Sequence, residues 1–200
     1  LFSGIAINHF AGVMYVADAT SGEIAGCALD GTSCSRFVAE DSVGHVAIDL
    51  TGGGQLCWTD FGGSNPGTVT CAGLSTPGIR RTVASNAGFP YALALDVAND
   101  RVYWTGPFAT GGGVYTATLS ATSSGPHTRL LPSLSEARGI AVDSIHGWIY
   151  VTVQDDDLLG RAIGSDEGDA RASSPCVETL KTCVDKSFGE THGRHSGLDH

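Results

Sequence analysis

The chain has little of what a membrane-spanning or nucleic-acid-binding protein needs. Its 200 residues include only 11 Lys and Arg against 21 Asp and Glu, so the formal net charge is −10. No basic cluster is visible, which argues against binding to nucleic acid or to anionic membrane surfaces. No apolar run approaches the ~18 residues of a membrane-spanning helix. The chain begins at Leu1 and shows no signal peptide, as expected of a mature product or a fragment.

Motifs that mark common enzymes are missing as well. Neither a G-x-S-x-G nucleophile elbow nor an H-E-x-x-H metal motif occurs, so we expect no catalytic residue. The six cysteines never stand in the C-x-x-C spacing of structural zinc sites. We therefore expect disulfides, no metal site, and an extracellular or cell-surface location. No N-x-S/T sequon is present, whereas the Ser/Thr-rich loops are compatible with O-linked glycan.

What the chain has in abundance is short alternating strands separated by turns. Gly is high at 28 residues, as in proteins with many tight turns. Four segments share one order: a small alternating apolar strand ending in Asn or Asp, a turn, and an aromatic strand. They cover residues 4–18, 45–60, 91–106 and 139–153. The Asn or Asp recurs at intervals of 41, 47 and 47 residues, a period typical of propeller blades.

The sequence therefore predicts an all-β protein, a β-propeller built from four four-stranded blades. The propeller is expected to span residues 1–183, and residues 184–200 form a polar C-terminal tail with almost no apolar content. The four repeats cover about 4–40, 45–86, 91–134 and 139–182.

The second strand of each repeat carries a family resemblance. The segments "MYVAD", "LCWTD", "VYWTG" and "IYVTV" resemble degenerate copies of the YWTD motif of low-density lipoprotein receptor-like β-propellers. The resemblance implies an extracellular propeller. Because that family closes with six blades, four blades imply either a smaller closed ring or part of a larger one. A pattern that recurs in every unit is scaffold, so we assign structural roles to Tyr15, Asp18, Trp58, Thr59, Asp60, Tyr103, Trp104, Thr105 and Tyr150.

Two cysteine pairs are placed to bridge neighbouring strands. A two-residue Asp-Gly turn at 30–31 would put Cys27 opposite Cys34. In the next repeat, pairing of the second and third strands would put Cys57 opposite Cys71. Cross-strand Cβ atoms lie about 4.5–5.5 Å apart, which a disulfide can span with modest adjustment.

The last cysteine pair, Cys176 and Cys183, flanks the segment "VETLKT". A straight strand would separate these cysteines by about 23 Å, whereas a disulfide tolerates about 7 Å between Cα atoms. The two cysteines therefore bond each other only if the segment folds back. If it is extended, we expect one or both to join another chain.

Four side chains end the predicted first strands at the propeller axis: Asn8, Asp49, Asp96 and Asp143. Such a set of oxygens could surround an axial calcium ion. Each could instead hydrogen-bond within its own turn, as Asx residues do. Their equal place in every repeat favours the turn interpretation, so we predict no cofactor.

One loop face of the propeller collects exposed aromatic and acidic residues. The face is expected to hold Phe61, Phe89, Phe108, Asp155, Asp156 and Asp157. Exposed aromatic rings beside charges are typical of protein-binding surfaces. The same rings could instead cap the core, and the sequence does not separate these two interpretations.

These observations predict a non-catalytic extracellular structural protein whose propeller packs with neighbouring subunits. An open array would leave sheet edges and apolar end faces that need a partner. The alternative is a ligand-binding module that contacts a protein through its loop face. A calcium-dependent propeller hydrolase is ranked last.

Overall fold

A computed structural model describes residues 2–62, 66–106, 112–122, 124–131, 134 and 137–153, together with the backbone of 159–162. Every regular element in these residues is a β-strand, and the strands form four antiparallel sheets. In each sheet consecutive strands pair with each other. This order is expected because short turns join antiparallel neighbours.

The first two sheets have four strands each. Sheet 1 consists of β1 (Phe2–Asn8), β2 (Val13–Asp18), β3 (Glu23–Ala28) and β4 (Ser35–Ala39). Sheet 2 consists of β5 (Val43–Asp49), β6 (Gln55–Asp60), β7 (Thr68–Gly73) and β8 (Thr76–Ala84).

The third sheet repeats this plan, and the fourth shows three strands among the described residues. Sheet 3 consists of β9 (Leu93–Asp96), β10 (Arg101–Gly106), β11 (Gly113–Thr118) and β12 (Thr128–Arg129). Sheet 4 consists of β13 (Ala137–Asp143), β14 (Trp148–Val153) and β15 (Leu159–Ala162). The predicted fourth strand of this repeat, near residue 176, lies outside the described residues.

The turn between β3 and β4 differs from the prediction. The amide of Gly31 donates to the carbonyl of Ala28, so the turn centres on Leu29 and Asp30 rather than on 30–31. Gly31 follows at φ 84°, and Asp30 is not in the left-handed conformation that a type I′ turn requires. The Asp30 carboxylate accepts from the amide and the hydroxyl of Thr32, which holds this longer loop.

The sheets stack in chain order through their first strands. β1 packs against β5, β5 against β9, and β9 against β13. Alternation along each second strand sends one side chain forward, toward the next sheet, and its neighbour backward, toward the previous sheet. Tyr15 and Tyr103 pack forward, whereas Trp58 and Trp104 pack backward. This explains why large aromatic side chains recur at adjacent positions of the motif.

Among the described residues, no sheet packs on the backward face of sheet 1 or on the forward face of sheet 4. On β1 the side chains of Ile5 and Ile7 are 57% and 49% exposed while Ala6 between them is buried. Among the described residues, β13 does not pack against β1 as the other first strands pack against one another. The four sheets therefore form an array in chain order, and a closed ring remains a prediction.

Candidate functional site

A hydroxyl ladder links the sheets at the positions of the motif threonines. Thr59 Oγ1 accepts from the amide of His45 in its own sheet (2.8 Å) and donates to the carbonyl of Tyr91, which precedes sheet 3 (2.7 Å). Thr105 Oγ1 repeats this, with the amide of Ala92 at 3.1 Å and the carbonyl of Arg138 in sheet 4 at 2.7 Å. One hydroxyl thus satisfies two backbone groups and fixes the position of each sheet relative to the next along the strand direction.

The junction between sheets 1 and 2 uses a different residue for the same bond. Ala17 stands where the other sheets have threonine, and it has no hydroxyl. Ser3 supplies the hydroxyl instead and donates to the carbonyl of Gly44. Ser3 sits at a β-bulge, where the pairing of β1 with β2 shifts register. The bulge leaves Ser3 outside the ladder of its own sheet, so its side chain is available to the neighbour.

The fourth sheet ends the hydroxyl ladder. Thr152 Oγ1 accepts from the amide of Gly139 at 2.7 Å, as the other threonines do in their sheets. Its side chain is exposed on the forward face, and no acceptor for its hydroxyl hydrogen lies among the described residues.

A groove of about 750 Å³ lies on the backward face of sheet 1. Its floor is apolar, and Asp18 and Glu23 lie at its edge. The lining side chains that carry the apolar character are Phe2, Ile5, Met14, Val16 and Ala25. Val16 occupies the place of the backward tryptophan of sheets 2 and 3, so the floor is flat where those sheets project an indole ring.

An aromatic row crosses the loop face. Phe61 stacks on Phe89 with ring centroids 6.0 Å apart and on Tyr91 with centroids 5.7 Å apart. The guanidinium of Arg138 lies 5.3 Å from the centre of the Tyr91 ring, a cation–π distance. Phe89 is 45% exposed. A Cβ on Gly44 would come within 2.9 Å of the Phe61 ring, so the glycine leaves room for this row.

The loop-face phenylalanines were expected either to form a protein-binding surface or to cap the core, and the structure has features of both. Phe61 is half-buried between two rings, and Phe89 turns a large part of its surface to solvent. Tyr91 and Arg138 were missed by the sequence analysis. Aligning the repeats residue by residue would have placed both at the start of a first strand, equivalent to Gly44, on this same face.

The Asx residues at the ends of the first strands hydrogen-bond within their own turns. Asn8 Oδ1 accepts from the amide of Ala11, and the Asp143 carboxylate accepts from the amides of Ile145 and His146. The Asp49 carboxylate accepts from Thr51 and Gln55, and that of Asp96 from Asn99. The hydrogen bond of the His146 ring with Asp143 (2.7 Å) and then the amide bonds lower the pKa of Asp143. Desolvation raises the pKa of Asp49, but the hydrogen bonds from Thr51 and Gln55 together outweigh it, so the pKa lies below its usual value.

Two disulfides are present, one in sheet 1 and one in sheet 2. Cys27 bonds Cys34, and Cys57 bonds Cys71, each with Cα atoms 4.0 Å apart. Cys57 and Cys71 are directly opposed in the pairing of β6 with β7, as the sequence predicted. Their bond lies in the core between sheets 2 and 3.

A partly buried carboxylate joins sheets 1 and 2. Glu40 Oε1 accepts from the indole of Trp58 at 3.1 Å and from the guanidinium of Arg80 at 2.9 Å. Desolvation raises the pKa of Glu40, and the positive charge of Arg80 opposes that rise only in part. The backward tryptophan of sheet 2 is therefore held at both ends, by apolar packing and by a polar bond.

Several predicted site residues fall outside the described part of the chain. They are Phe108, Asp155, Asp156, Asp157, Cys176 and Cys183. Within the described residues, no group of three or more His, Cys, Asp or Glu side chains is arranged to hold a metal ion. No helix in that part of the chain is long and apolar enough to cross a membrane.

Comparison with known proteins supports the propeller fold. No family model matches the chain. A vitellogenin receptor from Solenopsis invicta is 30% identical over 105 residues, which is 52% of this chain and 6% of the receptor. A solved structure of a nidogen/laminin complex contains a chain that superimposes with a TM-score of 0.70 at 20% identity. The alignment covers 84% of this chain and 62% of that one.

The structural likeness establishes the fold, since a TM-score of 0.70 at this coverage requires the same arrangement of sheets. The architecture is all-β and similar to a YWTD-type propeller. The chain spans less than two thirds of both proteins, so it corresponds to a part of each.

Proposed function

We propose that this chain is a non-catalytic structural module of the extracellular space or the cell surface, built from YWTD-type blades, that packs with neighbouring subunits. The apolar backward face of sheet 1 carries this proposal. Contiguous apolar surface on a folded protein commonly marks an interaction site. Here most of the exposed surface of the groove is apolar, although Asp18 and Glu23 also line it, and Ile5 is more than half exposed.

Three observations support the location and the absence of catalysis. The two disulfides are of the kind that persist in oxidising compartments. The motif threonines hydrogen-bond to backbone groups, and the described carboxylates at the ends of the first strands bond within their turns. Proteins that resemble this chain include a receptor and a chain from a nidogen/laminin complex.

The native mass in solution tests this proposal. Light scattering over a range of concentrations should show species larger than the 20.5 kDa monomer, growing as concentration rises. The series should be run with and without reductant, because Cys176 and Cys183 lie outside the described residues. A monomer at every concentration in both buffers contradicts assembly.

A second function is favoured by the aromatic row on the loop face. Phe89, Phe61 and Tyr91 form a stack with one partly exposed end, and Arg138 adds a positive charge beside it. Exposed aromatic and Arg side chains are enriched among the residues that contribute most to protein binding. In this alternative the chain is a monomeric module that binds a protein through this face.

Laminin is a suitable probe for the alternative, since the similar structure comes from a nidogen/laminin complex. The chain would be immobilised and laminin passed over it, with Phe89→Ser as the test variant. Ile79→Ser is the matched control, because Ile79 is also an exposed large apolar residue but lies on β8 at the outer edge of sheet 2. Loss of binding in the first variant alone supports the loop face. Equal binding by both variants argues against it.

A further inference from the structure

We propose that the cleft between sheets 3 and 4 binds a neutral sugar unit. The cleft has a volume of about 680 Å³, which lies within the range of small-ligand pockets. It opens at the end of the sheets opposite the loop face, where β9 turns into β10 and β13 turns into β14. The inference goes beyond the proposed assembly and does not depend on it, because both walls of the cleft belong to one chain.

The cleft is open because sheet 3 has a short side chain where sheet 2 has a long one. On β8, the guanidinium of Arg81 reaches across the junction to the carbonyls of Leu119 and Ala121, which follow β11 in sheet 3. Its equivalent on β12 is Thr128, since both lie across the third strand from the same motif position. Thr128 is too short to span the next junction, and it lines the cleft instead.

A buried hydroxyl without a partner lines this cleft. Thr116 is 8% exposed, and its Oγ1 has no hydrogen-bond partner among the described residues. Burial and then the charge of Asp96 raise the pKa of the Tyr103 phenol, and the charge of Arg101 and the Thr116 hydroxyl oppose that rise. The Thr116 hydroxyl is therefore near the phenol, but not in hydrogen-bond geometry with it. Because a buried hydroxyl without a partner is costly, a ligand that bonds to it gains affinity.

The other groups at the cleft are of the kinds that recognise sugar hydroxyls and sugar rings. Asp96 presents a carboxylate that the main-chain and side-chain amides of Asn99 hold in place, at 3.3 and 2.9 Å. The guanidinium of Arg101 supplies donors, and Leu130 and Val142 supply apolar surface for the C–H face of a ring. A hydroxyl both donates and accepts, so a ligand rich in hydroxyls satisfies donors and acceptors together.

The charges at the cleft favour a neutral ligand over an ion. Asp96 and Arg101 have opposite signs, and His146 Nδ1 lies 2.7 Å from the carboxylate of Asp143. The formal net charge of −10 disfavours an anionic ligand. A cation would have to share the Asp96 oxygens, which already accept from Asn99.

Saturation-transfer NMR of the full chain tests the cleft. The probes are the methyl glycosides of glucose, galactose, mannose and N-acetylglucosamine, each at millimolar concentration. Thr128→Arg is the blocking variant, because it gives sheet 3 the side chain that spans the junction of sheets 2 and 3, at an exposed position. Ile79→Arg is the matched control, because Ile79 is exposed on β8, the outer strand of sheet 2.

At least one sugar should receive saturation from the wild type and from Ile79→Arg, and transfer from Thr128→Arg should fall to background. Transfer that persists in Thr128→Arg places the sugar elsewhere and overturns the inference. No transfer to any of the four sugars also overturns it, whether the cleft stays empty or is filled by residues outside the described ranges. Neither result bears on the light-scattering test of assembly, so the two proposals fail separately.

A free sugar and the end of a glycan present the same groups, and a second measurement separates these sources. A glycoprotein whose glycans end in the best of the four sugars would be passed over the immobilised chain, before and after enzymatic removal of that sugar. Binding that is lost on removal identifies a glycan as the source. Binding of the methyl glycoside alone identifies the free sugar.

The Thr116 hydroxyl has its own test, which separates binding from stability. Thr116→Val keeps the shape of the side chain and removes the hydroxyl, so the Kd of the best sugar should rise about fivefold, as for one lost hydrogen bond. The midpoint of urea unfolding should stay the same or rise, because the hydroxyl has no partner among the described residues. Thr116→Ser retains the hydroxyl and should bind as the wild type does. A lower midpoint with an unchanged Kd would assign the hydroxyl to the fold and contradict its role in binding.

Discussion

Sheets 1 and 2 are copies of one repeat, yet among the described residues only sheet 2 is covered on both faces. In sheet 2, Trp58 packs backward onto sheet 1, and the Cys57–Cys71 disulfide packs forward onto sheet 3. In sheet 1, Tyr15 packs forward, but Val16 points into an open groove. The same motif position therefore belongs to the core in one sheet and to the surface in the other. This difference in burial depends on whether a neighbouring sheet packs against that face, and not on the strand itself.

The largest test of this comparison replaces the backward residue in both sheets. Trp58→Ala removes a fully buried indole and its bond to Glu40, so it should lower the free energy of unfolding by about 3–5 kcal/mol. Val16→Ala should cost less than about 1 kcal/mol in the monomer, since its side chain faces the groove. Urea unfolding of both variants at low protein concentration measures this. Similar losses in the two variants would contradict the claim that only sheet 2 is covered.

Removal of each disulfide should give the next largest difference between sheets 1 and 2. Replacing Cys57 and Cys71 by Ala opens a loop of 14 residues and should cost about 3 kcal/mol, with a further loss from cavities in the core. Replacing Cys27 and Cys34 by Ala opens a loop of seven residues near the surface and should cost about 2 kcal/mol. Thermal unfolding of the two double variants gives the order, and a larger loss in sheet 1 would reverse the expectation.

Removing one hydroxyl of the ladder should lower the stability by less, and in sheet 1 a second substitution should restore part of it. Thr59→Val leaves the His45 amide and the Tyr91 carbonyl without their partner, which should cost about 1–3 kcal/mol. In sheet 1 the equivalent change is Ser3→Ala. Adding Ala17→Thr to Ser3→Ala should restore part of the lost stability, because it places a hydroxyl where sheets 2 and 3 have theirs. Denaturant unfolding of the three variants measures this, and no recovery in the double variant would count against the equivalence.

The carboxylate between the two sheets gives the smallest effect, and it depends on pH. Burial raises the pKa of Glu40 in the folded state, so the folded protein binds this proton more tightly than the unfolded chain does. The contribution of Glu40 therefore becomes less favourable as pH rises from the unfolded pKa through the raised folded pKa. Glu40→Gln removes this dependence and keeps acceptors for Trp58 and Arg80.

The measurement compares the free energy of unfolding of the wild type and Glu40→Gln at pH 4 and pH 7. The variant should gain stability relative to the wild type as pH rises between these values. A relative loss over the same range would mean that the attraction of Arg80 for the charged carboxylate outweighs desolvation.

Much of the local structure followed from the sequence. The alternation of apolar residues placed the first and second strands of each repeat, and the facing of Cys57 and Cys71 followed from the pairing of their strands. The hairpin after β3 was predicted with the wrong turn, since the Asp30 side chain bonds to Thr32 and favours a longer loop. Such competition between side-chain and backbone bonds is not visible in a dipeptide signal.

The contacts between repeats were harder to predict. Ser3 carries no motif, and its bond to Gly44 depends on a bulge that takes it out of the pairing of its own sheet. Tyr91 and Arg138 lie far apart in sequence and meet only because sheets 3 and 4 stack. The phenylalanines alone therefore did not predict that Tyr91 and Arg138 belong to the aromatic row on the loop face.

By itself, the sequence determined the number of repeats in the described part of the chain, the two faces of their strands and one pair of facing cysteines. Those features depend on neighbours within one sheet, where a period of two residues decides which side each residue takes. Only the tertiary structure decided which apolar faces are covered. Ile5 and Ala6 are equally apolar in the sequence, but one lies in an open groove and the other in the core, because burial depends on whether another sheet is present to pack against that face.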